Sequence, residues 1–386
     1  MTGWGLFCQF YVLVLLGVGV AVSSRFRTFL DEKFLLDGNW IEATLRIPDA
    51  SLDPADPFRN IALVYRVLGL SDLPDVAAML AIAVFGVGVL AAIRWTELTR
   101  LTWLGLGTIT VSYLLALVYL SQYSKEFVSL ALAVLVLLLP RGLVPELVLM
   151  AAMIAYAVTI RPYWGVVVGL YVVLRFLLPR IRGLLPLVPF VLASYVFLQV
   201  TFNTVLGEPL SFSRTAVNDL RAQINVSVGS LIVDFLPNAV ALQWLNAFLI
   251  LLSLIAPWPL ILGGSSTYLV MALVLAYLWG LVLWTVLRIQ AERRVELGRP
   301  ARRHTQPTPW SPVAERSPRP ERAVALLLAL VIIQAIFEPD YGSYVKHIVP
   351  MLPLFLALVP LQARTAGALI GPQDDRSLDD ATKDST

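Results

Sequence analysis

Charge is scarce in this sequence. Asp, Glu, Lys and Arg supply 14% of its 386 residues and hydrophobic residues 58%, whereas soluble domains carry about 25% charged residues. Mean hydropathy is +0.77. A single aqueous core cannot bury that much apolar surface, which excludes a soluble globular domain. Cysteine is almost missing: Cys8 alone makes no internal disulfide and no CxxC metal pattern. Inside an apolar run it reads as a small core hydrophobe. With His304 and His347 the sole histidines, an HExxH zinc site is excluded. The sequence has no GxxxxGK[ST] loop and no GxSxG turn, which excludes a P-loop ATPase and a serine-hydrolase elbow. No internal repeat is visible. The net charge of +3 says little about partners and gives no reason to expect nucleic acid.

Long apolar runs are what the sequence has instead, and about 20 helical residues cross a hydrocarbon core. The runs predict an all-α, polytopic integral membrane protein. Spans are expected at 4–22, 74–93, 101–120, 127–140, 143–160, 162–179, 184–205, 266–287, 323–337 and 348–362. The 239–262 run is broken by Pro257 and Pro259. Two long loops, 23–73 and 206–238, complete a membrane domain over 1–287. In the first, Ile61, Leu63, Val64, Val67 and Leu68 have helical spacing, with Arg59 and Arg66 left for a polar face, so an interfacial helix is expected. Residues 288–322 hold nine arginines and six prolines, the composition of a disordered basic linker. A hairpin over 323–362 and a polar tail over 363–386 follow.

Arginine sets the expected orientation. The basic linker, Arg94, Arg100, Arg141, Arg180 and Arg182 should face the cytoplasm of a plasma membrane. That requirement leaves one crossing too many unless 239–262 dips in and returns, since irregular backbone is tolerated where protein covers it. The expectation is about ten transmembrane helices plus one re-entrant or broken segment, with both termini cytoplasmic. A full crossing of 239–262, with an extra short crossing near 228–238, is the alternative.

The polar clusters then share the outer face. They are Asp31 and Glu32 in the first loop, Lys125 and Glu126 in "SQYSKE", Arg161 and Tyr163 in "TIRPYW", and Arg214, Asp219 and Arg221 in the second loop. The stretch "FEPDYGSYVKH" at 337–347 adds Asp340, Tyr341, Tyr344, Lys346 and His347. Arg and Lys at helix ends grip phosphate oxygens, and the helix start after Lys125 adds its dipole. A carboxylate can take a proton from a sugar hydroxyl, and cations can stabilise a departing phosphate. Plainer roles stay open: solvated acids for Asp31 and Glu32, snorkelling anchors for Lys125 and Arg161, belt residues for Tyr341 and Tyr344, and a packed His347. For Arg214 and Arg221 the plainer role is general attraction to lipid phosphate. Asn225-Val226-Ser227 fits a glycosylation sequon. Charges near the middle of spans are scarce, and Glu146 lies near the start of its helix. Ion-coupled transporters usually need midplane charges.

With its long external loops, "SKE" opening one span, "RPY" closing the next hairpin and a late "DYGSYVKHIVPMLPLFLAL", the chain resembles Wzy/EpsG-like bacterial polysaccharide polymerases. It is also similar to the broader GT-C membrane glycosyltransferases, in its acids after the first span and its late "RY…P…P"-like pattern. Lys346 and His347 stand where the family pattern often has arginine. The resemblance implies glycosyl transfer from a polyprenyl-phosphate or polyprenyl-diphosphate donor outside the cytoplasmic membrane. It implies phosphate binding by Lys125, Arg161, Arg214 and Arg221, and a base among Asp31, Glu32 and Asp340. No cofactor or metal is implied, because cationic side chains can take the metal's part. Partners would be the lipid-linked sugar, membrane lipid and envelope-assembly proteins. A flippase of lipid-linked oligosaccharide and a non-catalytic member of an assembly complex are the competing classes.

Overall fold

The computed structural model describes residues 3–47, 52–53, 56–181, 183–223, 230–236, 239–298 and 319–359. These form helices α1 (Gly3–Phe26), α2 (Glu32–Leu45), α3 (Pro57–Val67), α4 (Pro74–Ala92), α5 (Trp95–Leu98), α6 (Trp103–Leu120), α7 (Glu126–Leu138), α8 (Leu143–Thr159) and α9 (Trp164–Leu177). The order continues with α10 (Leu187–Thr201), α11 (Phe212–Gln223), α12 (Gln243–Ile255), α13 (Trp258–Leu262), α14 (Ser266–Gly298), α15 (Arg319–Phe337), α16 (Tyr341–Ile348) and α17 (Leu352–Leu356). No β-strand occurs among the described residues; one isolated bridge joins Leu231 to Asp340. The chain is an all-α membrane protein, and among the described residues six helices are long and apolar enough to cross a bilayer: α1, α4, α6, α10, α14 and α15. Helices α7, α8, α9 and α12 are shorter but equally apolar.

The helices alternate between two ends of a bundle, named here by Glu126 and Arg322. Trp4 Nε1 donates to Leu101 O at 2.8 Å and Gln9 Nε2 to Trp95 O at 3.1 Å. The start of α1 therefore lies with the α4–α6 connection, at the Arg322 end. At the other end, Tyr123 Oη donates to Leu70 O at 2.5 Å and Ser71 O at 3.1 Å, which holds the segment ahead of α4 against the turn before α7. Gln290, near the end of α14, exchanges hydrogen bonds with Gly183 ahead of α10. Trp244 N, at the start of α12, donates to Gln199 Oε1 near the end of α10 at 2.8 Å. Both α12 and α14 thus begin at the Glu126 end, and Pro257 and Pro259 break the chain between them.

Helix α15 lies at the centre, with every residue from Arg322 to Ile336 buried. The expected last span at 348–362 is no single helix. Prolines remove backbone donors, and Pro350 and Pro353 divide the segment into α16, a tight turn over Val349–Met351, and α17. This segment still runs between the two ends: a Cβ on Gly88 would meet Pro353 Cγ at 2.9 Å, and one on Gly105 would meet Val359 Cγ1 at 3.2 Å. Two other expectations need correcting. Helix α15 starts at Arg319, inside the expected linker, while 299–318 and 360–386 lie outside the described residues. Helix α3 turns Asn60, Ile61, Ala62 and Tyr65 inward and leaves Val67 87% exposed. Arg66 does not lie on a free polar face but holds the carbonyls of Leu45 and Ile47.

Close helix approach depends on small residues. A Cβ on Gly19 would stand 1.9 Å from the Tyr113 ring, where α1 crosses α6 and Tyr113 Oη donates to Leu16 O at 3.2 Å. Tyr113 is 1% exposed, so its ring has little room to move. Gly19→Ala should cost roughly 1–3 kcal/mol, as overpacking does, read as a lower thermal midpoint in nanodiscs; Gly17→Ala, where a Cβ meets nothing within 4 Å, is the control.

Candidate functional site

The polar residues of the Glu126 end are set by the turn before α7. Tyr65 of α3 clasps Ser124 twice, its hydroxyl accepting from Ser124 N at 3.0 Å and donating to Ser124 O at 3.1 Å. Ser124 Oγ accepts from Glu126 N at 3.1 Å, so the turn presents Lys125 and Glu126 in a fixed order. Helix α2 lies against the same turn: Gln122 Nε2 donates to Phe34 O at 2.7 Å, and a Cβ on Gly38 would meet Gln122 Oε1 at 2.5 Å. That close approach brings Asp37, beside Gly38, over the turn.

Two lysines meet on Asp37. Lys125 Nζ lies 3.3 Å from Asp37 Oδ2 and 3.8 Å from the centre of the Phe58 ring, and Lys346 of α16 bonds the same oxygen. Burial alone would raise the Asp37 carboxyl, but the ammonium groups of Lys346 and Lys125 outweigh it and hold the group at about 2. Burial pulls Lys125 down to about 8; Asp37 opposes the shift and Arg161 adds to it.

Behind this trio lies a deeper set. Arg161 Nη2 donates to Glu126 Oε1 at 2.5 Å and Nη1 to Tyr163 Oη at 2.7 Å. Tyr163 stacks on Phe337 with ring centres 5.3 Å apart, which positions the next residue, Glu338, beside His347. His347 Nδ1 is hydrogen-bonded to Glu338 Oε1, and its Nε2 lies 3.6 Å from Glu126 Oε1. Glu126 and Glu338 are 1% and 2% exposed. Burial would lower Arg161, but Glu126 keeps it charged. Burial raises Glu338 to about 8, with Arg161 opposing. Burial also pushes His347 well below its ordinary value, and the charges of Arg161, Lys346 and Lys125 push it further. At neutral pH the pair is therefore a carboxylic acid against a neutral imidazole. Lys125, Lys346 and Arg161 thus share a partly exposed site with the carboxyl groups of Asp37 and Glu126.

Lys125, Glu126, Arg161, Tyr163, Lys346 and His347, named from the sequence, do come together here. Asp31 and Glu32 do not: both are exposed at the start of α2, and five or six positions turn a helix by roughly 120–140° away from the face of Asp37. Asp340 caps α16 by accepting from Ser343 N and Ser343 Oγ, both at 2.8 Å. Tyr341 and Tyr344 are buried anchors, donating to Ser253 O at 3.2 Å and Leu254 O at 3.3 Å, and Tyr344 Oη accepts from Trp279 Nε1 at 2.7 Å. Arg214 ties α11 to Asp234 and to Ala335 O. The side chain of Arg221 and the Asn225–Ser227 sequon lie outside the described residues. Sequence reasoning missed Asp37 and Glu338. The signal for Glu338 was its place in the polar stretch 337–347; for Asp37 it was the adjoining glycine in "LLDGNW".

Among the described residues, no three His, Cys, Asp or Glu side chains gather as a metal ion would need. Comparison of the chain with known protein families, with curated proteins and with solved structures finds no match to any of them.

Proposed function

We propose that the chain is a plasma-membrane glycosyltransferase that builds cell-surface polysaccharide from polyprenyl-phosphate-type sugar donors at the outer membrane face. The observation that carries this reading is the convergence of Lys125 and Lys346 on the ionised Asp37, with the Arg161–Glu126 pair close by, at one end of an apolar bundle. Three cations with one partly exposed carboxylate suit a phosphate beside a hydroxyl acceptor. The arginines of the connections at the Arg322 end support placing that end in the cytoplasm. The Glu126 end then faces outward. We read ten passes, namely α1, α4, α6, α7, α8, α9, α10, α14, α15 and the broken segment after α16. In this reading α12 and α13 form a re-entrant piece on the outer side, and both termini are cytoplasmic.

In the proposed reaction the donor phosphate draws the two ammonium groups from Asp37. Relieved of the partners that hold it at about 2, the carboxylate can take the acceptor's proton. The acceptor oxygen bonds to the sugar's anomeric carbon as the carbon–oxygen bond to phosphate breaks, and that electron pair leaves on the phosphate. Lys125, Lys346 and Arg161 stabilise the charge that develops there. Asp, Glu, Lys and Arg residues of the apolar helices lie only towards their ends, which favours a surface reaction over a polar route through the bilayer.

The test is activity of the full chain in nanodiscs with lipid-linked oligosaccharide from the source cell, comparing wild type with Arg161→Ala. A ladder of longer glycans, lost in the variant, is the result expected of a polymerase, and a single added sugar that of a single-addition transferase. Lipid-linked sugar moving between leaflets with no new bond would make the chain a flippase. Neither change, with an active assembly partner restoring synthesis, would leave it a non-catalytic member of a complex.

A further inference from the structure

Glu338 is buried in a way its neighbours are not. Arg161 holds Glu126 and two lysines hold Asp37, but Glu338 bonds a histidine. Its Oε2 has no hydrogen-bond partner among the described residues. An unpartnered buried oxygen costs less on a neutral carboxyl group than on a carboxylate. The groups around the pair are Arg161, Asp340, Glu126, Lys346, Lys125, Tyr163 and Tyr344. A cavity of about 10 Å³ is lined by Trp279, Gln334, His347 and Met351 among others, close to the space one water needs.

A protonated Glu338 sets the tautomer of His347. With the acid proton on Glu338 donated to Nδ1, the ring carries its own hydrogen on Nε2. That nitrogen lies 3.6 Å from Glu126 Oε1, too far for a hydrogen bond. The Nε2–H is therefore left to act on a group beside Arg161.

We propose that Glu338 and His347 deliver a proton to the departing lipid phosphate, His347 through Nε2 and Glu338 by restoring it through Nδ1. The proposal rests on the transferase reading above and adds a substrate class, a lipid monophosphate sugar. A phosphodiester donor carries one negative charge, which Lys125, Lys346 and Arg161 can face. When the bond to the sugar breaks, the phosphate gains a second charge; the Nε2 proton cancels it, the Glu338 proton moves to Nδ1, and Glu338 is left as a carboxylate. The acceptor's proton sits on Asp37. Loss of the product and one proton exchange with solvent reset both acids. His347 is the catalytic residue here and Glu338 a positioning and proton-supplying residue.

The full chain in nanodiscs tests this by infrared difference spectroscopy with polyprenyl monophosphate as probe. Wild type at pH 7 should show a protonated-carboxyl band that falls when the probe binds. Glu338→Gln should lack the band, and His347→Gln should keep it but lose its response to the probe. In transfer assays Glu338→Gln should turn over about 100-fold more slowly, the size of a lost general acid, with KM little changed. The wild-type rate should fall as pH rises through about 8, where Glu338 ionises. This limb should persist in Lys125→Arg, whose guanidinium does not titrate there, and vanish in Glu338→Gln. A band absent from wild type, or unmoved while the probe binds, overturns the couple and leaves the transferase reading standing. No binding of polyprenyl monophosphate, with transfer from a diphosphate-linked donor intact, overturns the couple and its substrate class alone; no transfer from either donor overturns both readings.

Discussion

Asp37→Asn should abolish most glycosyl transfer, slowing turnover by about 10²–10⁴-fold, the range for loss of a general base. The substitution keeps shape but removes the proton acceptor. It also leaves Lys125 and Lys346 without their shared carboxylate, which makes the site more positive. Donor binding should hold or tighten while kcat falls, the split expected when an interaction acts in the transition state alone. Asp31→Asn and Glu32→Gln should behave as wild type, because their exposed side chains lie away from the trio. Steady-state kinetics on the four proteins checks this. If Asp37→Asn turns over at the wild-type rate, the base is elsewhere and the proposed mechanism fails.

The largest stability loss is expected at the opposite end. Glu146 Oε1 accepts from Arg322 Nε at 2.7 Å and Arg175 Nη2 at 3.1 Å, and Glu146 Oε2 accepts from Tyr171 Oη at 2.9 Å. Arg322, fully buried, also donates to Leu139 O at 2.6 Å and Pro140 O at 2.8 Å. Arg175 Nη1 reaches Glu321 Oε2 at 3.1 Å. This network ties α8, α9 and α15 to the turn after α7. Glu146→Ala strands two buried guanidinium groups, and breaking a buried pair from one side costs about 3–5 kcal/mol. Thermal unfolding in nanodiscs should show a fall well beyond that of Gly19→Ala. A midpoint close to wild type would mean that the network contributes little net stability.

The apolar runs carried most of the fold because a membrane leaves helices few alternatives. They located α4, α6, α8 and α14 closely at their starts, and failed where proline cut the last run into a tight turn and α17. The site was legible at Lys125, Glu126, Arg161, Lys346 and His347 because polar residues at the ends of apolar helices are forced to one surface. Asp37 was not. It sits in a loop with other acids, and only the packing of Gly38 on Gln122 selects it. Arg214 reads in sequence as a phosphate ligand, yet in the fold a carbonyl and Asp234 engage it. Nothing in a string of letters separates an arginine awaiting an anion from one already holding a carboxylate.

The central place of α15 and the segment after it bears on biogenesis. Ribosomes deliver the earlier helices first, yet the segment from Val349 to Val359 is buried throughout and touches α4 and α6. Until it is inserted, those helices surround a gap that lipid or an insertion factor must fill. Lys346, His347 and Glu338 arrive with it, so the nascent protein holds no assembled cation cluster. The order of synthesis itself keeps the reaction site from forming before the bundle closes.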